Sequence, residues 1–166
     1  MSKAKLNQPK WNKIIKKEED LWITKKGEDL YIISGAYVVK TQEDIKGGLL
    51  TTLTKTFGRL PDDGEVLNVG IRELDINKAL ELYERVKNNR DNVKLVDTGL
   101  LDECIDWDNN CILKILVNTK NNTYVNVDSE KIFIDNPNSF QGDKPLKPIY
   151  IEGEKSDMIL FPMLCD

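Results

Sequence analysis

Histidine is absent from all 166 residues. That absence removes the commonest general acid–base near neutral pH, every Ser-His-Asp or Cys-His nucleophile arrangement, and any zinc site that needs an imidazole. Cysteine is scarce as well. The three present, Cys104, Cys111 and Cys165, cannot form a four-thiolate zinc site. An odd number of cysteines in a chain large enough to fold without staples predicts reduced thiols and a cytoplasmic setting. Long hydrophobic runs are missing too. The longest, near residues 158–164, is far short of the roughly 18 residues a membrane helix needs, and it contains Pro162. Met1-Ser2-Lys3-Ala4-Lys5 leads into no apolar stretch, so no signal peptide is expected.

What is present is an ordinary globular composition with an uneven charge distribution. Hydrophobic residues make up 40% and charged residues 31%, too apolar for a disordered chain. The net charge of −4 conceals a gradient: residues 1–60 carry a balance of +5, and residues 61–166 one of −9. Such a chain can present a basic face and an acidic face at once.

Periodicity supplies the elements. Pro9, then Trp11, Ile14 and Ile15, predict a basic amphipathic helix over about 9–19 with Lys10, Lys13, Lys16 and Lys17 on its polar side. Leu21–Thr24, Leu30–Ser34 and Ala36–Thr41 read as a three-stranded meander. Leu49, Leu50, Leu53 and Phe57 predict a helix over about 44–57, and Val66–Ile71 a strand. The strongest helix begins at Asp75, a capping residue. Ile76, Ala79, Leu80, Tyr83 and Val86 form its stripe, with Glu81–Arg85 and Glu84–Lys87 pairs on the other face. From Val93 onward short apolar runs separated by turn residues predict a β-rich half, 93–166, with Val93–Asp97 and Leu101–Ile105 as separate strands. Strands, helices and more strands without βαβ alternation predict a single α+β domain, mostly antiparallel, with two or three helices.

No motif specifies a catalytic centre. Asp102, Glu103, Asp106 and Asp108 form an acidic cluster whose Asp106-x-Asp108-x-Asn110 spacing begins like a calcium loop. Cys111 then stands where Gly is required and Val117 where Glu is required. Asp62 and Asp63 lack the Asp/Glu-x-Lys partner of metal-dependent nucleases. Gly47-Gly48 matches neither nucleotide-binding fingerprint and reads as a break before a helix. No metal and no cofactor are expected. The acidic cluster Asp102, Glu103, Asp106 and Asp108 is the candidate partner-binding site, its carboxylates standing where phosphates would sit on a basic surface. The alternative is a nucleic-acid site at Lys10, Lys13, Lys16, Lys17, Lys25 and Lys26, with Trp11 and Trp22 as stacking platforms.

Lys147-Pro148-Ile149-Tyr150-Ile151-Glu152, followed by Met158-Ile159-Leu160-Phe161-Pro162-Met163, resembles the closing hairpin of bacterial sliding-clamp domains. Tyr124-Val125-Asn126 and Asp135-Asn136-Pro137 resemble small clamp-like proteins of phages that infect Gram-positive bacteria. A clamp chain holds three such domains, so the resemblance implies a single clamp-like unit. Asp157-Met158-Ile159-Leu160-Phe161 also resembles the short peptide by which proteins dock onto a clamp. The expected function is a non-enzymatic binding protein, phage or mobile-element encoded, acting stoichiometrically on a host protein of nucleic-acid metabolism or defence, such as an inhibitor of a CRISPR-type nuclease. The alternatives are a clamp-like replication accessory that touches DNA, and a metal-dependent nuclease.

Overall fold

The computed structural model describes residues 3–105 and 110–162. Strand β1 (Lys5–Leu6) leads into helix α1 (Gln8–Ile15), followed by β2 (Leu21–Lys26), β3 (Asp29–Ile33) and β4 (Tyr37–Thr41). Helix α2 (Gly47–Phe57), β5 (Val66–Val69) and helix α3 (Ile76–Lys87) come next. The remainder is β6 (Val93–Ile105), β7 (Asn110–Asn118), β8 (Thr123–Asp128), a 3₁₀ turn at Ser129–Lys131, β9 (Ile134–Asp135), β10 (Ser139–Gly142), β11 (Ile149–Glu152) and β12 (Ser156–Leu160). The expected α+β class is what the structure shows: among the described residues, three helices and a ten-stranded sheet ordered β5-β2-β3-β4-β12-β11-β10-β6-β7-β8, with β1 and β9 as a separate pair. Every pairing between these strands is antiparallel. No helix among the described residues is long and apolar enough to cross a membrane.

Alternation along the central strands sends side chains to two cores, because successive residues of a strand point to opposite faces. Ile32, Val39, Ile149, Ile151, Met158 and Leu160 face one way and meet α1 and α2 through Trp11, Ile15, Leu49 and Leu53. Tyr31, Ile33, Val38, Tyr150 and Ile159 face the other way and meet Leu80, Tyr83 and Val86 of α3. Both faces of the sheet centre are therefore covered.

Each helix begins or ends for an identifiable local reason. Asn7 caps α1 by accepting from the Lys10 N–H at 2.9 Å, and Asp75 caps α3 through the Lys78 N–H. Helix α1 stops at Ile15, short of the expected 19, and the Glu18 N–H donates to the Ile15 carbonyl as the chain turns toward β2. Helix α2 starts at Gly47, later than the expected 44, because Gly47 has φ +60° and is preceded by extended Lys46. The stripe on α3 is as expected, with Leu80, Tyr83 and Val86 buried and Glu81 and Arg85 exposed. Lys87, however, turns from Glu84 to Asp157 on β12, at 3.4 Å.

Two expected strands, 93–97 and 101–105, are the single strand β6, joined through an irregularity between Asp97 and Leu101. Strands β1 and β10 are additions that no apolar run announced. The Met158–Leu160 run is buried in the middle of the sheet, so it is a core strand and does not offer the exposed docking peptide that its sequence resembles.

Leu80→Ala should cost about 2–5 kcal/mol, as a core truncation, whereas Glu81→Ala should change stability by less than about 0.5 kcal/mol. Chemical denaturation of the two variants checks this. Equal effects, or the reverse order, would contradict the register of α3.

Candidate functional site

Strand β6 is thirteen residues long and outruns its neighbours. Strand β10 pairs only with Val93–Leu95 at its start, and β8 reaches along β7 only from Asn118 to Leu113. Among the described residues, the segment in which Glu103–Ile105 pairs with Asn110–Ile112 therefore extends beyond these ladders as the tip of a two-stranded ribbon, Leu101–Ile105 with Asn110–Lys114.

A bulge sets where the ribbon departs. Gly99 has φ +72°, a conformation that favours glycine. Its N–H donates to Asp97 Oδ1 at 2.9 Å, the Leu100 N–H donates to Thr98 Oγ1, and the Thr98 hydroxyl donates to the Ile115 carbonyl. Lys114 closes the bulge with a 2.6 Å ion pair to Asp97. Partial burial alone would raise the pKa of Asp97, but the Lys114 hydrogen bond, the Gly99 N–H and the Lys114 charge together bring it below the ordinary value.

The register then decides which side chains share a face. Leu101, Glu103 and Ile105 lie opposite Lys114, Ile112 and Asn110, so these six project from one side. Leu101 is 62% and Ile105 79% exposed, and Ile112 is exposed as well. Asp102 and Cys104 project from the other side, opposite Leu113 and Cys111, where Leu113 and Cys104 are buried. Glu103 thus stands among three solvent-facing aliphatic side chains. This face was not singled out in the sequence, where Leu101, Ile105 and Ile112 look like core positions.

Of the expected acidic cluster, Asp102 and Glu103 are both exposed on β6 but point to opposite faces. Asp106 and Asp108 lie outside the described residues. Cys104 is disulfide-bonded, contrary to the expected reduced thiol, which removes that argument for a reducing compartment.

The alternative lysine set does not form one patch. Lys10 is half-buried; its Nζ donates to the Ser129 carbonyl at 2.8 Å, and burial lowers its pKa. Lys13, Lys16 and Lys17 are exposed at the end of α1, and Lys25 and Lys26 lie at the far end of β2. Trp11 and Trp22 are both buried. Trp11 stacks on Phe133 and donates to the Tyr37 hydroxyl, so neither tryptophan offers a platform to a base. Asp62 and Asp63 serve a turn: Asp63 accepts from the Gly27 N–H, and Asp62 sits 3.7 Å from Arg59. Among the described residues no three carboxylate or thiol side chains gather closely enough to hold a metal ion.

Comparison with protein-family models found no match, and comparisons with curated proteins and with solved structures found none at the level of significance applied. The likeness to a clamp-like unit rests on the C-terminal residues alone. Two of its segments, Ile149–Glu152 and Ser156–Leu160, do form an antiparallel hairpin.

The Asp97 pair gives a pH-dependent expectation. A carboxylate with a depressed folded-state pKa stabilises the fold above its unfolded pKa, and that contribution is lost as pH falls through the folded value. The bulge should therefore hold through the ordinary carboxylate range, near pH 4, and open only in stronger acid. Following the Gly99 amide by NMR during acid titration checks this. Lys114→Ala should move the transition to higher pH, and an unmoved transition would contradict the assigned cause.

Proposed function

We propose that the chain is a non-catalytic binding protein that docks the outward face of the β6–β7 ribbon onto another protein. The observation that carries this reading is the exposure of Leu101, Ile105 and Ile112 around Glu103 on a ribbon whose tip, from Glu103 and Ile112 outward, has no ladder neighbour on either side among the described residues. Each such aliphatic side chain contributes about 1.5–3 kcal/mol when buried against a partner. Residues 101–110 carry four carboxylates and no cation, so the complementary surface is an apolar patch ringed by Lys and Arg. Proteins that handle nucleic acids present such basic surfaces to phosphates. In its narrower form the reading is a phage- or mobile-element-encoded protein whose carboxylates occupy a host nuclease's phosphate positions stoichiometrically, as an inhibitor of a CRISPR-type nuclease would. Charge complementarity alone supports that form.

A pull-down from host lysate, with and without nuclease treatment, tests the reading. The expected result is a protein retained in both conditions by the wild type and by Lys13→Glu/Lys17→Glu. It should be lost with Ile105→Asp/Ile112→Asp, and its association should be slowed by Glu103→Lys, most strongly at low ionic strength. Retention that needs nucleic acid and disappears with the lysine variant would favour the DNA-contacting, clamp-like alternative.

A further inference from the structure

The N-terminal third holds a concave basic site that plays no part in the ribbon. A cleft of ≈ 650 Å³ lies where β1, α1 and the start of α2 converge. Four lysines from three separate stretches of chain line it: Lys5 from β1, Lys13 from α1 with Lys16 at its C-cap, and Lys46 from the residue before α2. None of the four forms an ion pair among the described residues, although Lys40, Lys87, Lys114, Lys131 and Lys147 elsewhere do. The single carboxylate in the lining is Glu43. Its Oε2 is turned to the wall, accepting from the Leu6 N–H at 2.9 Å and from the Ser156 hydroxyl. With four lysines and one carboxylate in its lining, the cavity carries an excess of positive charge that favours an anion filling it.

The walls of the cleft are fixed from within. Gln8 holds the loop before α2, its Oε1 accepting from the Lys46 N–H and its Nε2 donating to the Asp44 carbonyl. Asn12 accepts from the Thr52 hydroxyl and so ties α1 to α2. Gly48 permits that close approach, since a Cβ there would stand 2.9 Å from Asn12 Nδ2. No side chain caps the start of α2, and its first turn contains no acidic residue, so its leading N–H groups add donors on the same side.

We propose that this cleft binds the di- or triphosphate group of a small anion. Charge selects that class. A single phosphate monoester carries about −1.5 to −2, whereas the lining of four lysines and one carboxylate is matched by the greater charge of a chain of two or three phosphates. No aromatic side chain among the described residues lines the cleft, so none of them stacks a base, and recognition is of the phosphates whether free or carried by a nucleotide. The site is independent of the docking face.

Calorimetric titration of the purified chain with inorganic triphosphate, ATP and orthophosphate tests this, with thermal unfolding of each variant as a check on folding. Triphosphate and ATP should bind saturably and within about threefold of each other, and orthophosphate about tenfold or more weakly. Lys13→Gln/Lys46→Gln should weaken triphosphate binding by about tenfold or more, and the separate exposed pair Lys5→Gln/Lys16→Gln should do the same. Lys25→Gln/Lys26→Gln should leave it unchanged. Absence of saturable binding, binding of ATP alone, or an equal loss with Lys25→Gln/Lys26→Gln would each overturn the proposal.

Discussion

Strand β12 enters the sheet between β4 and β11, and the molecule depends on that insertion. The pairing joins a segment near residue 40 to one near residue 158, with Val39 opposite Met158 and Val38 opposite Ile159. On one side of β12 lies the N-terminal meander with β5, and on the other the C-terminal strands; without the β4–β12 ladder these are two smaller sheets. Polar side chains lock the register from both faces. The Ser156 hydroxyl donates to Glu43, so its neighbour Thr41, 2.6 Å away, donates to Ser156 while accepting from the Glu43 N–H. Glu43 also accepts from the Leu6 N–H, which ties β1 into the same network. On the α3 side, Asp157 accepts from the Tyr83 and Tyr150 hydroxyls, and the Lys87 ammonium lies 3.4 Å away. Burial, and then the charge of Asp157 and the hydrogen bond to it, drive both phenol pKa values up and keep the hydroxyls protonated as donors. A one-residue slip of β12 would exchange its two faces and break both networks, so the apolar and polar interactions specify the same register.

The two candidate sites sit at different distances from this seam. The basic cleft borders it through Glu43, whose carboxylate both closes the polar network and lines the cavity. The geometry of the lysines is thereby referenced to a rigid part of the fold. The tip of the β6–β7 ribbon lies beyond the last ladder contacts with β8 and β10 among the described residues, and it is held by its own pairing, by one buried face and by the Cys104 disulfide. A segment of that kind can reach a partner's surface without disturbing the core, and the Asp97–Lys114 bulge sets the direction in which it leaves the sheet.

How much of this was legible in the sequence follows from locality. Helix α3 was readable in detail because its stripe and its Asp75 cap act within a few residues. The β2–β3–β4 meander was readable for the same reason. The seam was not, because Thr41, Glu43 and Ser156 are ordinary polar residues until strands more than a hundred positions apart are paired. Lys87 illustrates the same limit: helical spacing offered it Glu84, and tertiary structure gave it Asp157. At the ribbon, charge was visible at Asp102 and Glu103, but strand alternation sends them to opposite faces. Leu101, Ile105 and Ile112 were hidden because an alternating apolar pattern looks alike whether its face is covered or open. The lysines of the cleft were hidden by dispersion, since Lys5, Lys13, Lys16 and Lys46 come from three stretches and only Lys13 and Lys16 stood out as helical neighbours.

Native-state hydrogen exchange, resolved by residue, tests the central claim that a rigid β4–β12 seam carries an independently opening ribbon. Hydrogen-bonded amides of β4 and β12 should be the slowest, exchanging only through global unfolding. Those of 101–105 and 110–112 should exchange through local opening, roughly a hundredfold or more faster. A ribbon as strongly protected as the seam, or a seam that exchanges before it, would contradict the account.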